Sequence, residues 1–227
     1  MLKKLILNKF WARLFIKPLA RLNSVTYRWI SRYAIALNGG LHPKHSIIDY
    51  ASWFVAHIES GQTVLDIGCN QGKLTSALAA RADFVYGIEL SSKLFAQAQS
   101  HNSAPNIEYI CADATTFDYS ATRTIDCIVL SNVLEHIENR VSFLRKIISQ
   151  VSKGNSDGLK VLIRVPAVDR DWLVGYKKQL GIEWRLDKTH FTEYTINTLA
   201  GELAAAGFDI LESETHFGEI YTVCKPK

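Results

Sequence analysis

Short apolar runs separated by amphipathic stretches set the layout of this chain. Thr63–Ile67, Phe84–Glu89, Ile107–Ala114, Ile125–Leu130 and Leu159–Pro166 are mostly apolar. Strands buried on both faces of a sheet read this way. Between them, Lys73–Ala79, Ser91–Ser100 and Arg140–Val151 carry helical patterns. Strand alternating with helix predicts a mainly parallel sheet. Thr195–Ala206 predicts one more helix, with Thr192 or Thr195 as its N-cap and Gly207 ending it. Phe208–Thr215 and Ile220–Lys225 then predict two closing strands. Ahead of the first strand the pattern is helical only: residues 1–17, then Leu19–Leu37 after a break at Pro18, then Ile47–Ile58. Asn38-Gly39-Gly40 suits a left-handed C-cap on the second of these. The chain therefore divides into a helical extension over 1–46 and an α/β domain over 47–227.

The turn after the first strand narrows the chemistry. It reads Asp66-Ile67-Gly68-Cys69-Asn70-Gln71-Gly72 and opens directly into a helix. A dinucleotide fingerprint needs G-x-G-x-x-G facing a pyrophosphate. Here the glycines are four apart and a carboxylate stands inside the motif, which repels a pyrophosphate and attracts an ammonium group. An ordinary βα turn that binds nothing also fits this stretch taken alone. The pattern resembles motif I of the class I S-adenosylmethionine (SAM)-dependent methyltransferases. Asn70 stands where that family often has Gly, and Asn tolerates left-handed backbone better than most residues.

Two further strand ends carry acids: Glu89 after the second strand and Asp113 after the third. An acid about twenty residues after the glycine turn binds ribose hydroxyls in nucleotide-binding α/β folds. The resemblance implies that Glu89 takes this role. It further implies that Asp113 accepts from the adenine amino group, with neighbouring Ala114 packing on the ring. Its cofactor set is Asp66, Gly68, Cys69, Asn70, Gly72, Glu89, Leu90, Asp113, Ala114, Ser131 and Asn132, and its cofactor is SAM. The implied fold is a Rossmann-like seven-stranded, mostly parallel sheet with an antiparallel last strand and helices on both faces. The likeness covers about residues 47–225.

After the fourth strand, Ser131-Asn132-Val133-Leu134-Glu135-His136-Ile137 resembles the post-strand segment of small-molecule methyltransferases. The Pro-Pro segment of amino-directed nucleic-acid enzymes and the Pro-Cys pair of cytosine C5 enzymes are absent. A hydroxyl acceptor must lose a proton, and a histidine near neutrality can take it. His136 is the first candidate base and His190 the second; a structural hydrogen bond at the start of a helix is the other reading of His136. Glu135 can orient the base or face solvent. No serine or cysteine nucleophile motif is present, which excludes hydrolase chemistry. Ala167–Thr189 is an insertion rich in charged and aromatic residues, at the place of the family's substrate cap. It suits a sugar or phosphate-bearing substrate, or else is a solvated excursion. His42 and His45 either line the site or lie exposed in a loop. Segments such as Arg164-Val-Pro166, Arg170-Asp-Trp172 and Arg185-Leu-Asp187 resemble bacterial methyltransferases of surface-polysaccharide loci, which implies a sugar or glycan precursor as acceptor.

Charge changes the picture of the extension. Residues 1–48 hold nine Lys and Arg and no acid, leaving −5 for the rest of a chain whose total is +4. The basic excess is therefore not a nucleic-acid face on the α/β domain. An RNA methyltransferase gripping RNA with the arm, and a non-catalytic SAM-binding or membrane-docking protein, are the alternatives. In residues 1–17, Leu7, Phe10, Trp11, Leu14 and Phe15 share one helical face, with Lys9, Arg13 and Lys17 on another. Such a helix lies on an anionic membrane surface or packs on the domain. Cys69, Cys111, Cys127 and Cys224 have no metal-ligand spacing. They read as reduced, buried residues of a cytoplasmic protein, peripheral at the inner membrane face if the arm docks there, and no metal is assigned.

Overall fold

The computed structural model describes residues 8–39, 42–151 and 158–227. Residues 1–7 of the expected arm, Gly40 and Leu41 of the expected cap and loop, and 152–157 of the loop after the Arg140 helix lie outside the described residues. In chain order the elements are α1 (Lys9–Leu37), α2 (Lys44–Ile47), α3 (Tyr50–Ala56), β1 (Thr63–Ile67), α4 (Lys73–Ala79), β2 (Phe84–Glu89), α5 (Ser92–His101), β3 (Ile107–Cys111), β4 (Cys127–Ser131), α6 (Arg140–Val151), β5 (Lys160–Pro166), α7 (Trp172–Gln179), α8 (Ile196–Ala206), β6 (Phe208–His216) and β7 (Glu219–Pro226). They fall into two compact units, Met1–Tyr50 with Asp171–Arg185, and Ala51–Arg170 with Leu186–Lys227.

In the first unit, α1 runs unbroken through Pro18, where two helices were expected. Proline's fixed φ is itself helical, and its cost is one missing N–H and crowding of the preceding turn. Long helix on both sides and a capped start absorb that cost: Asn8 Oδ1 accepts from Phe10 N and Trp11 N at 3.0 Å each. Gly39 adopts φ +63°, as a left-handed helix end requires. The helix expected over Ile47–Ile58 is instead two short pieces, because Ile48 is extended at φ −121°. Within the insertion, α7 is a helix not anticipated from the pattern. Asp171 caps it by accepting from Leu173 N, and Lys177 Nζ donates to Asn23 Oδ1 of α1 at 2.8 Å.

The second unit is a seven-stranded sheet in the order β3-β2-β1-β4-β5-β7-β6. β1 to β5 are parallel, and β7 runs antiparallel to both β5 and β6. Its core joins Leu65, Ile67, Ile128, Leu130, Ile163 and Val165 of the central strands to Leu144 and Ile147 of α6 and Leu199 and Leu203 of α8. α8 starts as expected at Thr195, which exchanges hydrogen bonds with Thr198 in a capping box. Ile67 pairs with Ile88 and Leu130, and Glu89 with Cys111, so the carboxyl ends of β1 to β4 share one rim. Chain direction across the sheet reverses between β1 and β4, and ligands bind outside the strands at such a switch point. The four cysteines are free, but Cys111 is exposed where burial was expected. It closes β3, a strand paired only with β2 and therefore covered less than the central strands. Among the described residues no helix is long and apolar enough to cross a membrane.

Candidate active site

The β1–α4 turn is built from three left-handed residues: Gly68 at φ +74°, Asn70 at +54° and Gly72 at +78°. Asparagine thus adopts at position 70 the conformation its side chain tolerates. A Cβ on Gly68 would lie 2.7 Å from Val133 Cγ2, and one on Gly72 would strike the Tyr109 ring. Both glycines are therefore needed for backbone angle and for space. The turn is pinned to β2. Gly68 N and Cys69 N both donate to Ile88 O. The Glu89 carboxylate accepts from Asn70 N at 2.9 Å and from Ser91 N at 2.8 Å.

Above this turn is a cleft of about 400 Å³, within the range of small-ligand sites. Of the residues expected to hold a cofactor, Gly68, Asn70, Glu89, Leu90, Asp113, Ala114 and Asn132 line it, and so does His136. Val133 and Ile137, of the post-strand segment 131–137, also line it, and so do Ile67, Ile88, Leu94, Ala112 and Thr115, which were not anticipated. Their only signal was nearness in sequence to the expected set. Asp66, Cys69, Gly72, Ser131 and His190 are not in the lining. Two polar groups lack something on this wall. Asn132, at φ +57°, has a buried Oδ1 with no hydrogen-bond partner among the described residues. A buried acceptor without a partner, on a residue that lines a cleft, is one that a bound ligand or water can satisfy. Each Glu89 oxygen spends one acceptor position on a backbone amide and has a second to offer. Asp113 Oδ1 accepts from Thr115 N and Thr115 Oγ1, which hold its carboxyl below the usual range.

Asp66 lies beneath the turn, 1% exposed, and accepts from Thr75 Oγ1 at 2.6 Å. Burial pushes its carboxyl up to about 7, against a modest opposing pull from the Thr75 hydrogen bond. An acid raised on folding stabilises the fold below its unfolded value of 3.8, and that stability is lost as pH climbs towards the folded value. Stability is therefore expected to fall between about pH 4 and pH 7, by up to about 4 kcal/mol from this group. Urea unfolding across that window checks it. Asp66→Asn should flatten the slope, and an unchanged slope in that variant refutes the assignment.

One lining residue, His136, is half of a histidine pair. After β4, Leu134–His136 forms a single 3-10 turn that turns Glu135 inward and leaves His136 exposed on the cleft. The segment before α8 docks on it, since Phe191 N donates to Glu135 O at 2.7 Å. This sets the His136 and His190 rings edge to face, 4.7 Å between centroids. His190 is buried behind His136, with Nδ1 3.0 Å from Glu193 Oε1. Burial pushes Glu193 up, but hydrogen bonds from His190, Leu186 N and Arg170 outweigh it and hold the carboxylate below its usual range. His136 Nδ1 is 3.0 Å from Thr189 Oγ1, which donates to Asp187 Oδ1 at 2.9 Å. Hydrogen bonds from Thr189 N and Oγ1 keep Asp187 low and ionised. The Thr189 proton is thus committed to Asp187, so the hydroxyl accepts from His136 Nδ1–H, leaving Nε2 with its lone pair. Partial burial, with His190 nearby, lowers the His136 pKa, so the ring is neutral at neutral pH. Thr189 and Asp187 were not anticipated: no spacing links them to a ring fifty residues away. Glu135 is 1% exposed, burial pushes its carboxyl up to about 7, and Oε2 has no partner among the described residues. Glu135, His136 and His190 offer ligand atoms within 4.8 Å of one another. They would share a cation only if closed to about 3–3.5 Å, the spacing of ligands on one zinc.

The glycine turn, the strand-end acids and the sheet order define a class I SAM-dependent methyltransferase. Residues 42–213 match the methyltransferase domain family, and the chain belongs to that family. Among curated relatives, the ubiquinone biosynthesis O-methyltransferase of Albidiferax ferrireducens is 28% identical over 153 residues, 65% of this chain and 59% of that protein. The protein of the same name from Pseudomonas fluorescens is 27% identical over 152 residues, covering 65% and 63%. The chain thus matches less than two thirds of the length of either relative. Of solved structures, a DhpI–SAH complex is similar over 92% of this chain and 97% of that one, with a TM-score of 0.62 at 20% identity. Magnesium protoporphyrin IX methyltransferase from Synechocystis, with bound SAH, aligns over 78% and 81%, with a TM-score of 0.58 at 18% identity.

Proposed function

We propose that this enzyme methylates a hydroxyl of a small molecule, a sugar or a glycan precursor, with His136 taking the hydroxyl proton. The observation that carries the reading is the Asp187–Thr189–His136 chain, ending in a neutral ring on the cleft wall. SAM supplies a methyl group on a sulfonium, open to in-line displacement. In this reading Gly68 and Asn70 let the nucleoside approach the backbone, and Glu89 accepts from the ribose hydroxyls. Asp113 accepts from the adenine amino group beside Ala114, and the orphan Asn132 Oδ1 takes a donor from the amino-acid part. Asp66, Cys69 and Gly72 act from below, by holding the turn. Nε2 of His136 accepts the proton as the acceptor oxygen is alkylated. His190 is a positioning residue, its ring backing His136 and held by Glu193. Two things support an oxygen acceptor: the curated relatives are named O-methyltransferases, and a neutral imidazole matches the proton a hydroxyl must lose. The sugar or glycan acceptor rests on the likeness to surface-polysaccharide enzymes.

The test is product analysis with SAM and a panel of matched alcohols, catechols, nucleotide sugars and amines. Mass gain on hydroxyl compounds, accompanied by demethylated cofactor, is expected. Transfer to amines alone overturns the oxygen reading. Calorimetric titration with SAM and separately with NAD should give micromolar binding of SAM and none of NAD; tighter binding of NAD refutes the proposed seat.

A further inference from the structure

The feature that methyl transfer leaves unused is the outer surface of α1. Trp11, Phe15, Leu22, Trp29 and Tyr33 follow one another at helical spacing along this 29-residue helix, and every one is exposed. Tyr33 is 64% exposed and Leu37, at the helix end, 90%. Monomeric soluble proteins rarely leave a continuous apolar stripe of this size in water. Beside it runs a second row, Lys17, Arg21, Arg28 and Arg32, on the same spacing and also exposed. At about 100° per residue the rows lie roughly a quarter turn apart. No acid occurs in the described part of the segment before Asp49. One link joins the rows, the Arg32 guanidinium 5.3 Å from the Trp29 ring centre, and within the apolar row Trp29 stacks on Tyr33 at 5.8 Å. The side of the helix away from both rows holds Ala20, which is buried, and Asn23, which accepts from Lys177, although Tyr27 on that side is exposed.

We infer that α1 is a membrane-docking helix that lies in the interface of an anionic bilayer along most of its length. An aromatic and aliphatic row enters the acyl boundary while the adjacent cationic row meets the headgroups. The arginines and lysine reach the phosphates with their charged ends and cover apolar surface with their stems. Charge decides against the two other occupants. Two copies joined face to face would bring cationic rows together with no acid from this segment to separate them. A nucleic acid would satisfy the cations but leave Leu22 and Leu37 in water. The described helix, not only its first turns, forms this face, since Trp29 and Tyr33 continue the row begun by Trp11 and Phe15. Docking would bring the enzyme to acceptors that carry a lipid tail; that extension rests on the methyl-transfer reading, while docking does not.

The experiment is co-sedimentation of the full chain, without SAM or acceptor, with vesicles of phosphatidylcholine alone and with phosphatidylglycerol added. Partition onto the anionic vesicles, weakened by salt, is expected. The variants are Trp29→Ser with Tyr33→Ser, and Arg28→Glu with Arg32→Glu, all exposed positions whose SAM affinity reports an intact fold. Each pair should lower partition at least about tenfold. A full chain that stays in the supernatant overturns the proposal, as does equal binding to neutral and anionic vesicles. A Trp29/Tyr33 variant that binds like wild type overturns it too. If that variant instead changes from dimer to monomer in solution, the face is a self-association surface and the membrane is excluded.

Discussion

His136→Ala is expected to lower turnover about 10²–10⁴-fold, the usual worth of a positioned general base, while SAM affinity stays within about a factor of two. The asymmetry follows from where the ring sits. It lines the cleft but is outside the set proposed to hold the cofactor, and its hydrogen bond runs to Thr189, which is not part of the lining. Single-turnover kinetics and SAM calorimetry on the same preparation check both halves. A variant that turns over normally sinks the base assignment. One that loses SAM binding as well shows that His136 belongs to the seat. Thr189→Val separates positioning from packing. It removes the hydroxyl that accepts from Nδ1, so the ring is free to choose its tautomer. Turnover should fall about tenfold or more, with a displaced pH profile and little change in Tm. Restoration by Thr189→Ser would show that the hydroxyl, not the methyl, matters.

Glu89→Gln is expected to weaken SAM binding by about 10²–10³-fold, through two losses that act together. The carboxylate accepts from Asn70 N and Ser91 N, one on each oxygen. An amide in its place presents N–H₂ to one of those donors, so the turn loses a pin. The same group is proposed to take both ribose hydroxyls, and hydrogen bonds to a charged acceptor contribute about 1.5–3 kcal/mol each. Calorimetry reads the affinity, and thermal unfolding shows whether the sheet survives. A dissociation constant within about threefold of wild type would remove Glu89 from the ribose role. Glu89→Ala gives a useful contrast. It lets water reach the two amides instead of opposing them, so its turn should be less distorted although its ribose contacts are equally gone.

Much of the α/β unit was legible before any coordinates. β1, β2 and α6 occupy the stretches their apolar patterns mark, and Asn70 takes the left-handed backbone its side chain permits. These are local matters: burial on both faces, a helical period, and the φ angles a residue can adopt. The acids at the ends of β1 and β2 were equally plain, because register in a parallel sheet carries strand ends to a common rim. Local reasoning failed where a competing term came from elsewhere. Pro18 looks like a stop but is absorbed by a long helix. Cys111 looks like a core residue but closes a strand with only one neighbour.

By itself, then, the sequence determined the alternation of strands and helices from β1 onward apart from α7, the conformation of the glycine turn and the SAM-dependent class. All of these depend on residues close along the chain. Only the tertiary structure decided that Asp66 sinks under the turn while Glu89 and Asn132 face the cleft, since side-chain burial depends on which strands flank it. Only it brought Asp187 and Thr189 to His136, through the docking of Phe191 on Glu135. A proton acceptor's tautomer is set by what its other nitrogen touches, and that contact spans a separation that no periodicity records.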